Sequence, residues 1–437
     1  ECGPATISMS QDVQGEAFDY PEIFFEEKIH HIRKIYPDPS QIEQAAEQLK
    51  KSTQPIIIAG GGVLYAEAEK ELSDFAKKHN IPVTATVMGI GCMDKEDPYY
   101  ISAIGCLGDG SSNNLSKDTD LALAVGTKLS DFTTGSWTNF QNADFNLLSI
   151  NTSRYDTTKH RATPVVSDAK IGLQELSKKL GDWKAPENWY ERSQEEKNKW
   201  DSYIEKASGP TNQETPSYAH AVGAVYRKAD KSDIVVTAAG GLVGETVQIW
   251  KPKQKNTFET EWGFSCMGYE ISGALGIKMA KPDQDVIVFV GDGSYLLHNS
   301  DIYSSVIYDK KLIIVVCDNG GHMVINRLQL AKGGKEYLCN LRAANASQLQ
   351  FVDFEAHAKS MGANAETVKS ISELEAAFQR AKQSAKTYVI SIETHGYEWL
   401  EGTAYWESPT LEVHSSEENK KAYAEHMEGK IKQRKGV

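Results

Sequence analysis

Residues 285–321, DVIVFVGDGSYLLHNSDIYSSVIYDKKLIIVVCDNGG, constrain the fold of this chain more than any other segment. An apolar run at 286–290 leads into Gly291-Asp292-Gly293-Ser294, and a second at 312–316 leads into Asp318-Asn319-Gly320-Gly321. The stretch between them has helical spacing, so the whole reads as one βαβ unit, the crossover that joins parallel strands. In a parallel sheet both turns open on the same carboxyl edge, where α/β folds bind ligands. Either turn alone is an ordinary tight turn. Together they gather a carboxylate (Asp292), an amide oxygen (Asn319) and a glycine carbonyl (Gly321) beside free backbone N–H groups. That donor set suits a hard divalent cation, Mg²⁺, holding a diphosphate. It offers no His or Cys ligand of the kind zinc selects. Gly291 and Gly293 allow a phosphate to approach closely, and the Ser294 N–H lies at a helix start, where anions are favoured.

At 437 residues the chain is long enough for about two to three domains. Its 40% hydrophobic and 24% charged content is that of a globular protein, with no apolar stretch of membrane-spanning length. A formal charge of −13 argues against nucleic-acid binding and favours a role in solubility. The six cysteines form no CxxC pair or zinc spacing, so a reducing cytoplasm is the simplest setting. Cys266 and Cys317 read as buried small side chains.

The coarse organisation is two doubly wound α/β units with mostly parallel sheets. Strands are expected at 55–59, 82–87, 120–125, 145–150, 234–237 and 388–393. Helices are expected at 66–79, 169–180, 217–227, 271–279, 352–361, 371–384 and 417–434. The opening GPATISMSQDV reads as a finished strand. Since a domain does not begin on its last strand, residues 1–38 are expected to be the end of a preceding domain plus a linker. Residues 39–182 form the first unit, 183–214 a polar linker with one solvated helix, 215–395 the second unit and 396–437 a tail. A second Gly-Asp-Gly, in Gly108–Asn114, follows an interrupted run and reads as a polar loop. Gly60-Gly61-Gly62 invites a dinucleotide reading. Tyr65 stands where the third glycine of GxGxxG belongs, however, and no acidic residue ends the next strand.

The spacing from Gly291-Asp292-Gly293 to Asp318-Asn319 resembles the cofactor motif of the thiamine diphosphate enzymes, with Asp in place of the first Asn. Residues 262–269, WGFSCMGY, are similar to the family's aminopyrimidine-holding segment. The resemblance implies that the Ser265 carbonyl accepts the 4′-amino group and that Met267 wedges beneath the cofactor. From packing alone Met267 reads equally as a core methionine. The segment TAAGGL resembles the loop that receives the diphosphate, which makes Gly240, Gly241 and Leu242 cofactor residues. PIIIAGGGV, IPVTATVMGIG and DLALAVGTKLSDFTTGSW resemble the middle domain of the acetolactate-synthase-like branch.

SQDVQGEAFDYP, LSDFTTGSWTNF, AAGGLVGE and AYWESPTLEV resemble a subgroup that opens the ring of a cyclic 1,2-dione in inositol breakdown, giving a deoxy-hexuronate. An α-keto-acid carboligase or decarboxylase, or a silent cofactor-binding module, is the alternative. The chain departs from the subgroup at Gly320-Gly321-His322-Met323. His322, grouped with the cofactor residues, is open between a substrate contact and a loop histidine, and His298 is equally open. The resemblance implies thiamine diphosphate and Mg²⁺ as cofactors, a small cyclic dione or keto acid as substrate, and a homodimer or homotetramer. The acidic charge and the lack of a long apolar stretch leave no nucleic-acid or membrane partner expected. The resemblance also places the activating glutamate in an N-terminal domain ahead of this chain, so no catalytic residue is assigned here.

Overall fold

The protein is described from a computed structural model over residues 5–343 and 351–434. Among these residues twelve strands build two sheets: β1 Pro55–Ala59, β2 Val83–Ala85, β3 Tyr100–Ala103, β4 Leu121–Val125, β5 Asn146–Asn151, β6 Thr163–Val166, β7 Ile234–Thr237, β8 Phe258–Thr260, β9 Val286–Gly291, β10 Ile313–Asp318, β11 Asn364–Val368 and β12 Tyr388–Glu393. The strand orders are β3-β2-β1-β4-β5-β6 and β11-β12-β10-β9-β7-β8, with every named pairing parallel. This is the expected pair of doubly wound α/β units.

Both faces of each sheet are covered, which is why the strands read as continuous apolar runs. In β1, Ile57 and Ala59 pack with Leu49, Phe75 and Leu176 from helices on one face. Ile56 and Ile58 pack with Leu115 and Trp189 on the other. In the second sheet, Ile287, Phe289, Val315 and Cys317 meet Val222, Val243 and Phe378. Val286, Val288, Ile314 and Val316 meet Ile271, Ala274 and Tyr295. The period-two alternation of side chains assigns each residue its layer.

Several elements depart from the sequence reading. Residues 5–34 form no strand. They make short 3₁₀ turns at Val13–Gly15 and Glu22–Phe25, are almost wholly exposed, and pair with no strand among the described residues, so no ladder satisfies their backbone groups. The helix expected over 66–79 starts later, at Glu69–His79, and a separate short helix, Gly61–Tyr65, precedes it; Glu67, with a left-handed φ of 51°, lies in the break between them. The segment 108–114 is no loop: buried Asp109 caps the helix Gly110–Asp118 by accepting from the Ser111 N–H. The helix Glu187–Ala207 within the presumed linker is not merely solvated, since Trp189 and Ile204 are buried and the Trp189 indole donates to the Pro55 carbonyl. Cys266 is exposed, because its loop rises from the sheet edge, whereas Cys317 on a central strand is buried as expected.

The glycine run after β1 has a packing role. The Gly62 N–H donates to the Gly126 carbonyl at 2.9 Å, and a Cβ at Gly60 would fall 2.4 Å from that same oxygen. The loops after β1 and β4 therefore close on each other. After β12 the chain runs back over both units. Leu400 N–H donates to Glu245, Ala404 N–H to the Gly105 carbonyl, and Glu407 N–H to Ser136. The Arg434 guanidinium then reaches the Asn142 and Phe145 carbonyls beyond the last helix, Glu417–Lys432.

Opposite the carboxyl edge, Lys382 Nζ lies 2.7 Å from Asp230 and Asp233 and 3.2 Å from Asp285, which also pairs with Lys311 at 2.9 Å. Asp233 is 3% exposed, so removal of its cation strands a buried charge. Lys382→Met should lower the urea unfolding free energy by about 3 kcal/mol. A change within error would show that water, not Lys382, neutralises Asp233.

Candidate cofactor and catalytic site

The strand order of the second sheet reverses between β7 and β9, where successive crossovers leave to opposite faces. The loops after these strands therefore flank a crevice, the position at which open α/β sheets take ligands. The β9–β10 register sets Cys317 against Gly291, which brings the residues just past each strand to one edge. Asp292 is 4% exposed and Asn319 3%, and Asp292 Oδ1 and Asn319 Oδ1 are buried without a hydrogen-bond partner. Burial, together with the Asp318 charge, pushes the Asp292 carboxyl up to about 7, against the pull of the facing Gly293 and Gly321 N–H groups. Asp318 itself accepts from the Gly320 N–H at 2.9 Å. Two stranded oxygens of this kind cost free energy in isolation and are the ligands a hard cation requires. Among the described residues no cluster of three His, Cys, Asp or Glu offers a rival centre.

Across the crevice, Ala239 is the N-cap of the helix Gly240–Ile249 and supplies no side-chain cap, with Gly240 at φ 76°. Its first-turn N–H groups are thus free for an anion. Gly240 and Gly241 line the cavity. Leu242 also lines it but is 2% exposed and belongs to the core. The Gly291, Gly293, Ser294, Asn319, Gly321 and His322 positions line the same cavity, which measures about 2450 Å³ and is bounded by loops of both units. Ser294 falls on the third residue of the short helix Asp292–Leu297. The His322 ring packs on Gly293, where a Cβ would fall 2.7 Å from it. His298 sits instead against Gly268 and 3.5 Å from Asp301, outside the cavity lining.

The loop 262–268 is folded over the Glu261 carboxylate, which accepts from Phe264 and Cys266 N–H at 2.9 and 2.7 Å. Ser265 has a left-handed φ of 52°, and its hydroxyl donates to the Ala238 carbonyl, which ties this loop to the one after β7. Met267 is not a core residue. It is 38% exposed on the cavity wall, with its terminal methyl close to Gly293. Phe132, Trp262 and Trp406, from the first unit, the loop and the tail, meet edge to face or tilted at 5.0–5.4 Å and close one end of the cavity.

Two acidic residues acquire places that their motifs did not announce. Glu270 is 1% exposed and accepts from two loops, at Ala239 N and Gly268 N. Glu245 is 4% exposed, and one of its oxygens accepts from Leu400 N–H at 3.0 Å while the other has no partner. The Arg327 guanidinium lies 5.2 Å over the Trp399 ring, which fills the space beside Gly241. The available signal was a lone Glu in an otherwise apolar helix start.

Burial drives the Glu245 carboxyl from 4.5 up to about 7, beyond what the Leu400 N–H and Arg327 offset. A carboxyl raised on folding keeps its proton longer in the native state. The stabilising contribution is therefore full below about pH 4.5 and lost as pH rises toward 7. Glu245→Gln should remove that slope, so its Tm gains on the parent between about pH 5 and about pH 7.5. Parallel Tm–pH curves would refute the assignment.

Comparison with known proteins gives two family matches. Residues 42–176 match the central domain of thiamine pyrophosphate enzymes, and residues 238–392 match their C-terminal thiamine pyrophosphate-binding domain. The chain is also similar to proteins named 3D-(3,5/4)-trihydroxycyclohexane-1,2-dione hydrolase. That of Geobacillus thermodenitrificans is 32% identical over 98% of this chain and 71% of the relative. That of Clostridium tetani is 32% identical over 99% and 72%. That of Halalkalibacterium halodurans is 34% identical over 97% and 70%.

Proposed function

This chain belongs to the thiamine pyrophosphate enzyme family, and we propose that it is a thiamine diphosphate- and Mg²⁺-dependent hydrolase that opens the ring of a trihydroxylated cyclohexane-1,2-dione. The observation that carries the cofactor reading is the pair of buried, unpartnered oxygens, Asp292 Oδ1 and Asn319 Oδ1, at the edge of a crevice whose other wall is an uncapped helix N-terminus. In this reading Asp292, Asn319 and the Gly321 carbonyl hold Mg²⁺. Gly240, Gly241 and Leu242 on one wall, and Gly291, Gly293, Ser294 and His322 on the other, receive the diphosphate. The Ser265 carbonyl would accept a hydrogen bond from the 4′-amino group of the aminopyrimidine, and Met267 would support the bound cofactor.

When bound, thiamine diphosphate supplies an electron sink that stabilises the carbanion left by C–C cleavage. The residues of this chain orient that group and keep bulk water from it. Net reaction adds one water and breaks one ring C–C bond, giving a linear deoxy-hexuronate. Glu245 and Glu270 are both engaged by backbone N–H groups, so neither is assigned the activating role. The substrate assignment rests on the names of the relatives. The alternative, an α-keto-acid carboligase or decarboxylase, is decided by assay.

Assembly as a homodimer or homotetramer belongs to the same proposal and rests on the family resemblance. Free thiols at Cys92, Cys106, Cys266, Cys317 and Cys339 support a cytoplasmic setting. No helix among the described residues is long and apolar enough to cross a membrane.

Calorimetry with thiamine diphosphate and Mg²⁺ should show saturable binding that Asp292→Ala weakens by at least roughly 10- to 100-fold. Removal of Mg²⁺ with chelator should abolish it. Equal binding by parent and variant, or none by the parent, would overturn the cofactor reading. Turnover of pyruvate but not of the cyclic dione would overturn the substrate reading.

A further inference from the structure

The loop after β7 and the loop before the helix Tyr269–Ala280 belong to different crossovers, and no ladder joins them. Side chains do: the Ser265 hydroxyl reaches the Ala238 carbonyl, and Glu270 takes a backbone N–H from each loop. Glu270 accepts from the Ala239 N–H at 3.3 Å through one carboxylate oxygen and from the Gly268 N–H at 2.8 Å through the other. The Ser294 hydroxyl faces the same carboxylate from the short helix after β9. Ala239 immediately precedes Gly240, and Gly268 immediately follows Met267. The joined backbones are therefore those that would meet opposite ends of the cofactor.

The local chemistry requires an acceptor-only group. Two N–H donors converge on Glu270 from separate loops, and an ionised carboxylate offers an oxygen to each, whereas an amide offers one oxygen and presents its NH₂ to the other donor. Glu270 is 1% exposed and makes no ion pair with any cation among the described residues. A buried, unpaired carboxylate is costly for folding alone. The helix start beneath it and the two N–H bonds offset part of that cost. The joint it makes is also sterically set. Gly268 has φ 97°, and a Cβ there would fall 2.5 Å from that of His298, so only glycine brings this N–H to the carboxylate.

We infer that Glu270 is a positioning residue that locks the diphosphate-side and pyrimidine-side loops into one frame, fixing the separation of the two ends of the cofactor site before the cofactor arrives. This rests on the thiamine diphosphate reading above. A frame of this kind helps a ligand that engages both loops at once, and it is indifferent to a ligand that engages only one.

The test compares parent protein with Glu270→Gln, using thiamine diphosphate with Mg²⁺ as one ligand and inorganic diphosphate with Mg²⁺ as the other. Affinity for thiamine diphosphate should fall roughly 10- to 100-fold, the loss of hydrogen bonds to a charged group, while affinity for inorganic diphosphate changes less than about threefold. A merely structural role would weaken both ligands in proportion to a lower Tm, and that pattern overturns the inference, as does unchanged thiamine diphosphate binding. Failure of the parent to bind thiamine diphosphate removes the cofactor reading itself, and the inference with it. If Glu270→Gln does not fold, amide hydrogen exchange of the parent decides. Ala239 and Gly268 should be protected together, like core helix amides, before any ligand is added. Fast exchange at either position overturns the proposal.

Discussion

Strands β9 and β10 run parallel in one register, and the rest of the site depends on that pairing. It brings Asp292 and Asn319, 27 positions apart in sequence, to the same edge with their side-chain oxygens buried and unpartnered. The cost is borne by sheets whose strands are covered on both faces by apolar helices. A sheet with one wet face would let water satisfy those oxygens.

The loops above this edge are held by carboxylates rather than by secondary structure. Glu261 folds its own loop, Glu270 joins two crossovers, and Glu245 holds the returning tail through Leu400. Each uses backbone N–H donors, so each fixes main-chain position directly. The tail completes the enclosure: Trp399 packs on Gly241, and Trp406 joins Phe132 and Trp262 across the two units.

Much of this was legible before any fold was seen. The strands 55–59, 234–237 and 388–393 and the helix 169–180 were read at their observed bounds, because each is a dense apolar run or stripe between clear breakers. Short strands on the outer positions of the sheets, β3, β6, β8 and β11, were missed. Tyr100–Ala103 and Asn364–Val368 carry little contiguous apolar surface, and their identity comes from the neighbour they pair with. Asp109 misled in the opposite direction. Its polar run is that of a loop, yet Trp200 packs on Gly110 and Asn113 bonds the Gly105 and Gly402 backbone, so tertiary contacts bury it.

The order of residues by itself determined the chemistry of the edge. Two apolar strands leading into Asp292 and Asn319, with glycines beside them, put hard oxygen donors at one edge wherever the strands lie parallel. What only the tertiary structure decided is how the remaining groups reach that edge. Met267 faces the cavity rather than the core because its loop rises from the sheet edge. Glu270 becomes a joint between loops because folding brings the Ala239 and Gly268 N–H groups to one carboxylate. Local pattern encodes periodicity and donor type, whereas the partner of a buried polar group depends on contacts distant in sequence, which exist only once the chain has folded.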